Sequence, residues 1–173
     1  EAAQAALRLW KGQGAEAFVG MHDSAVREAL IGRFNGQVPY VYTPVYEGNS
    51  CADGLYIIGE TPSQQLEPVI PFLAEKEGVS KWYLIGHDYN WPRDTNALAK
   101  GYIAKAGGEV VGEEYVPLTV NEFDSSLQRI KASGADAVLV TLVGGGSVGF
   151  NISFAGFGLD KQAIRLSTLI EEN

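Results

Sequence analysis

The run Ala135–Val143, ADAVLVTLV, is apolar almost without a break and carries no charge after Asp136. A half-buried strand alternates and a surface helix shows a stripe, whereas a continuous apolar run of this length suits a parallel strand buried on both faces. Gly144–Gly146 then turn the chain into a further helix. A strand of that kind implies covering helices on both sides, so the segment points to an α/β chain, and the remaining segments repeat its strand, loop, helix order.

Taken in order, Glu1–Lys11 has a helical spacing of Ala2, Ala5, Ala6, Leu9 and Trp10, with Gly12 and Gly14 as a stop. Ala15–Gly20 reads as a strand, and Ser24 as the N-cap of the helix AVREALIGRF, which ends near Gly36. Strands are predicted over Val38–Thr43 and Leu55–Gly59. Thr61-Pro62-Ser63-Gln64 has the form of a capping box, and Leu66, Val69, Ile70 and Leu73 have helical spacing, with Pro68 and Pro71 expected to kink that helix or delay its start. A helix is predicted over Thr95–Ala106, a strand from Val110 toward Pro117, and a helix capped by Asn121 and ended by Gly134. A last strand begins at Ile164 and runs to Ile170.

The stretch Lys81–Arg93, KWYLIGHDYNWPR, is the most suggestive of a site. Trp82–Ile85 reads as the strand and Gly86–Trp91 as the loop at its carboxyl end. Pro92 suits the first turn of the next helix, with Asn90 or Trp91 at the cap. Ligands of open α/β sheets bind outside the carboxyl ends of strands. The loops after the predicted strands carry Ser24, Tyr42, Thr43, Tyr89, Trp91 and Thr141, with His22 and Asp88 beside them. Hydroxyls and aromatic walls with few charges suit a small, largely neutral ligand.

Several functions fit poorly. The net charge of −8, with only 13 Lys and Arg and no basic cluster, argues against nucleic acid. One Cys and two His are too few for a zinc site, and no metal or cofactor is expected. No apolar run approaches the roughly 20 residues that cross a bilayer. Gly144–Gly149, GGGSVG, satisfies G-x-G-x-x-G between a strand and a helix, yet it lies late in the chain, and the acidic partner expected downstream would be Glu171. A tight strand-to-helix turn explains it more simply than a nucleotide-dependent enzyme. Catalysis has little support either, because neither His22 nor His87 has a nucleophile elbow G-x-S-x-G to serve.

The segments YEG at Tyr46–Gly48, GETPSQQLEPVIPFL from Gly59, IGHDYNWPRDTN from Ile85, GGEVVGEEYVPL from Gly107, VTLVGGGSVGFN and RLSTLIEEN carry a resemblance. Together they resemble the type I periplasmic substrate-binding proteins of ABC transporters, in particular the urea and short-chain amide group that includes the amide-sensing regulator of aliphatic amidase operons. The run D-Y-x-x-P-R-x-x-N at Asp88–Asn96 is the most specific part. The resemblance implies two Rossmann-like lobes with parallel sheets and helices on both faces, residues 1–60 giving part of the first lobe and 61–173 part of the second, with a hinge crossing near Glu60 and Thr61. It implies binding without chemistry: a solute receptor that takes an amide, urea or amino-acid ligand between the lobes and delivers it to a membrane permease. His22, Ser24, Tyr42 and Thr43 would serve from the first lobe, and Asp88, Tyr89, Trp91 and Thr141 from the second. His22 stands where the group commonly has an aromatic or small polar residue. A periplasmic or membrane-anchored extracellular location follows for a receptor, and a cytoplasmic one for the alternative, an amide-sensing regulator of the same fold. Against such proteins the chain has the look of a fragment.

Overall fold

The structure, a computed structural model, describes residues 1–20 and 23–169. Its residues form two compact units. The first comprises Glu1–Thr61 together with Tyr89–Trp91, and the second Pro62–Asp88 together with Pro92–Asn173.

In the first unit, α1 (Ala2–Leu7) runs on through a π-helical turn at Arg8–Gly12. The strands β1 (Phe18–Gly20), β2 (Tyr40–Tyr42) and β3 (Leu55–Ile57) are parallel and lie in that order. Between β1 and β2 comes α2 (Ser24–Phe34). Its N-cap is Asp23 and not Ser24: the Asp23 carboxylate accepts the Val26 N–H at 2.7 Å. An ionised acceptor at the positive end of a helix outcompetes a hydroxyl there, and Ser24 becomes the first helical residue. One side of the sheet packs Tyr40, Tyr42, Phe18, Leu55 and Ile57 against Ala6, Leu30 and Phe34 of the helices, where Phe34 stacks on Phe18 at 4.7 Å and meets Tyr40 edge-on.

The second unit begins with a short helix, α3 (Pro62–Gln65), and then α4 (Val69–Glu77). Pro68 caps α4 and Pro71 falls in its first turn, so the prolines delay the helix and do not kink it. Four parallel strands follow in the order β5 (Glu109–Val116), β4 (Lys81–His87), β6 (Ala137–Thr141), β7 (Ile164–Ser167). The helices between them are α5 (Asn90–Lys105), α6 (Asp124–Ser133) and α7 (Gly144–Gly156). Every residue of β6 is buried, as a strand covered on both faces must be.

Several predicted boundaries move. The strand expected to stop at Ile85 continues to His87, because Gly86 pairs with Thr141 and His87 with Val116. A β-carbon on Gly86 would run into Thr141 Oγ1 and, at 2.8 Å, Pro92, so the absent side chain lets the helix start pack down onto the strand. The loop shrinks accordingly, and α5 starts at Asn90 with Pro92 in its first turn, as the reading of Pro92 expects, ahead of the helical spacing that begins at Thr95. Asn121 does not cap α6: its side-chain amide turns back to donate to Thr119 O, and the helix starts after the fully buried Phe123. The final strand ends at Ser167; Ile170 lies outside the described residues.

Candidate functional site

The carboxyl ends of β1 and β2 and the start of α2 bring several predicted residues together in the first unit. Ser24 is 1% exposed, and its Oγ accepts the Trp91 N–H at 3.1 Å. A first-turn hydroxyl of α2 thus satisfies one of the amides that α5 leaves unpaired at its own start. Trp91 is buried, and its ring lies 6.3 Å from the half-buried Tyr89. Thr43, just past β2, donates its hydroxyl to Gly20 O at 3.1 Å, tying the two strand ends together.

Beneath these lies a charge that was not among the predicted site residues. Arg27 sits on the core stripe of α2 with Ser24, Leu30 and Phe34, and is 1% exposed. Its Nη1 donates to Glu47 Oε2 at 3.0 Å and its Nη2 to Glu47 Oε1, while Nε and Nη2 reach Glu28 Oε1 at 3.2 and 3.0 Å. The guanidinium is flanked by the rings of Tyr42 and Tyr46, 4.8 and 4.9 Å from their centres. Tyr46 OH in turn donates to Ser50 O and accepts the Ser50 N–H, and Ser50 Oγ donates to Glu28. A sequence signal for Arg27 existed: at i, i+3 and i+7 with Leu30 and Phe34 it occupies an apolar stripe, where a charge requires a buried partner. The partner, twenty positions on in the segment YEG, has no local signature.

Electrostatics follow from this packing. Burial works against the charge on Arg27, but the bonds from Glu47 and Glu28 outweigh it and hold the guanidinium protonated beyond its ordinary range. Burial also raises the Tyr42 phenol and pushes Tyr40 up to about 12. Tyr89 is raised as well, by burial first and then by the negative fields of Asp23, Tyr42 and Glu47. All these phenols are neutral donors at physiological pH.

The other predicted residues belong to the second unit. Asp88 is exposed and paired with Arg93 at 2.7 Å. Thr141 is fully buried at the end of β6, its Oγ1 3.2 Å from both Ile85 O of β4 and Asn96 Oδ1 of α5, so its hydroxyl ties β6 to the neighbouring strand and that strand's helix. His22 lies outside the described residues. His87, read as a loop residue, is a core residue of β4: its Nδ1 accepts the Val143 N–H at 3.1 Å, which places the ring proton on Nε2. The GGGSVG segment opens α7 as expected, and Gly146 has a packing reason, since a β-carbon there would sit 2.7 Å from His87 Nε2. A groove of about 1040 Å³ along β7 and α7, lined by Val148, Ile152 and Arg165 among others, contains none of the predicted residues. Among the described residues no group of three His, Cys, Asp or Glu could hold a metal, and no helix is long and apolar enough to cross a membrane.

Residues 1–173 in their entirety match the family model described as periplasmic binding protein. The chain belongs to the periplasmic binding protein family. A relative, the Leu/Ile/Val-binding protein homolog 6 of Brucella melitensis, is 31% identical over 133 residues, covering 76% of this chain and 34% of that protein. Among solved structures, a solute-binding protein of an ABC transporter from R. palustris in complex with benzoate superposes with a TM-score of 0.82 at 19% identity, covering 96% of this chain and 47% of that one. A branched-chain amino acid ABC transporter ligand-binding protein from Burkholderia xenovorans superposes with a TM-score of 0.74 at 21% identity, covering 98% and 46%. This periplasmic binding protein chain therefore spans about a third to a half of the length of these relatives. Its parallel sheets flanked by helices are those of type I periplasmic binding protein lobes.

Proposed function

We propose that this chain is part of the solute receptor of an ABC transporter, and that its ligand is a small neutral molecule bearing an amide or urea group. The observation that carries the reading is the grouping of Ser24, Tyr42, Thr43, Tyr89 and Trp91 in one unit, at the carboxyl ends of parallel strands. The grouping combines neutral hydroxyls and aromatic rings, with Thr43 and Tyr89 half-buried and Ser24, Tyr42 and Trp91 buried behind them. A planar amide supplies donors and acceptors without charge, so recognition needs paired hydroxyls and stacking rather than salt bridges. The kinship with receptors for branched-chain amino acids and benzoate supports the receptor class, while the neutral rim favours an amide over either of those carboxylates. A membrane permease is the partner this function requires, and a periplasmic or membrane-anchored extracellular location is the corresponding site of action.

Thermal denaturation with urea, formamide, acetamide, leucine or isoleucine tests the reading. A ligand at a hundred times its dissociation constant that binds only the native state adds about 2.7 kcal/mol and raises Tm visibly. We expect that shift with an amide or urea, and at least a roughly tenfold weaker affinity in Tyr89→Ala, whose half-buried ring lies beside Trp91. A shift with leucine or isoleucine alone would replace the amide reading by an amino-acid one.

A further inference from the structure

The ion-paired guanidinium under the rim has a consequence for specificity. An arginine beside a binding surface ordinarily attracts carboxylates, for which its planar fork is the preferred partner. Here Nε, Nη1 and Nη2 all donate to Glu47 or Glu28. Glu47 is 2% exposed and Arg27 1%, so their pairing is shielded from water and salt, whereas Glu28 is half-exposed. Asp23, which caps the same helix and accepts the Val26 N–H, carries a further negative charge in this unit. The excess negative field reaches the rim: Asp23 and Glu47 both oppose ionisation of the Tyr89 phenol. A field that resists negative charge on Tyr89 also resists a ligand carboxylate laid against that ring.

Resting on the receptor reading above, we infer that Glu47 is a specificity-determining residue: by occupying Arg27 it makes this site discriminate against carboxylate ligands in favour of their uncharged amides. The device works by withholding a cation, and rejecting the wrong ligand through like charge is as much a part of specificity as attracting the right one. The benzoate-bound structure with the same fold shows that a carboxylate is an available ligand for this architecture, so the discrimination has something to act against.

Benzamide and benzoate have nearly the same shape and differ in charge, which makes them the probes. Calorimetry on the unaltered chain should give benzamide at least about a hundredfold tighter than benzoate, the scale of a like-charge juxtaposition costing several kcal/mol. In Glu47→Gln, which keeps an acceptor for Arg27 and removes the charge, that ratio should fall by about tenfold or more. Glu28→Gln changes a half-exposed side chain and leaves the buried pair intact, and should lower the ratio by a smaller factor in a fold that is not at risk. The ratio is the informative readout, because a purely structural role for Glu47 would weaken both probes equally. Benzoate bound as tightly as benzamide by the unaltered chain, or an unchanged ratio in both variants, overturns the assignment while leaving the amide receptor standing. Binding of neither probe, nor of any small amide, overturns the receptor reading itself.

Discussion

In the second unit, neighbouring residues of one strand divide between two cores: Trp82 and Leu84 of β4, with Leu139 of β6, face Ile70, Ala99 and Ile103, while Tyr83, Ile85, Val138 and Val140 face Leu127, Phe150 and Phe154. In the first unit one sheet face is packed, and among the described residues the other is open. Tyr40, Tyr42 and Phe18 pack inward, but Val19 and Tyr56, the alternate residues of β1 and β3, are 72% and 58% exposed. Parallel strands of the same grammar thus make a two-sided core in one unit and a one-sided core in the other. A one-sided core has less apolar burial to rely on, so the first unit depends more heavily on its buried polar network of Arg27, Glu47 and the tyrosines. That network also reaches Tyr42 of the candidate site, so on the proposed reading stability and recognition share side chains in the first unit.

The largest effect should come from cutting that network. Glu47→Ala leaves a guanidinium in the core with only the half-exposed Glu28 as a carboxylate partner, and breaking a buried pair in this way costs about 3–5 kcal/mol. Hydrogen exchange should show β1–β3 losing protection while β4–β7 keep theirs; equal loss in both sheets would mean that the two cores are not separately supported. Leu139→Ala, which empties a fully buried position in β6, should cost about 3 kcal/mol in urea denaturation, with the lost protection now confined to β4–β7.

How far the sequence revealed this organisation differs between the units for the same physical reason. ADAVLVTLV announces a strand buried on both faces because burial on both sides removes polar residues from every position, and β6 is buried throughout. The first unit's strands are three residues each, too short to show a period, and only the packing separates Tyr42 from Val41. Boundaries failed where tertiary contact decided them: Gly86 and His87 look like loop residues, and pairing with Thr141 and Val116 holds them in β4. Of the candidate site, the aromatic and hydroxyl residues stand out in the sequence by their positions after strands, and Ser24, Tyr42, Thr43, Tyr89 and Trp91 fall in one unit. The Arg27–Glu47 pair was not, because its members meet only through the fold, and nothing local in YEG reveals that its carboxylate is buried.

Acid should separate the units further. His87 is neutral in the folded core, its pKa lowered by burial, while the unfolded side chain titrates near 6.5. Between those values the unfolded state binds the proton and the folded state does not. The second unit therefore keeps its full stability above about pH 6.5 and loses it as the pH falls toward the depressed folded value, at a slope approaching roughly 1.4 kcal/mol per pH unit. A protonated ring would also turn its Nδ1–H against the Val143 N–H it now accepts. Denaturation curves from pH 8 to 5 should show this limb, and His87→Gln should flatten it. A limb of the same steepness in His87→Gln would assign the acid sensitivity to another group.

The smallest effect lies at the other end of the same strands. The Asp136 carboxylate accepts the Lys81 N–H at 2.9 Å and both the Ser80 N–H and Ser80 Oγ, at 3.0 and 2.9 Å, which clamps the start of β4 to that of β6. Those bonds, with the Lys81 N–H foremost, hold the carboxyl below its ordinary range. A depressed acid stabilises the fold above its unfolded pKa, about 3.9, and that contribution is lost as the pH falls through the folded value. Because the site is open to solvent, Asp136→Asn should cost only about 1 kcal/mol at neutral pH. It should flatten the acid limb below pH 4 and leave the limb near pH 6 untouched, whereas a change in the upper limb would show that the clamp and the buried histidine are coupled through β4.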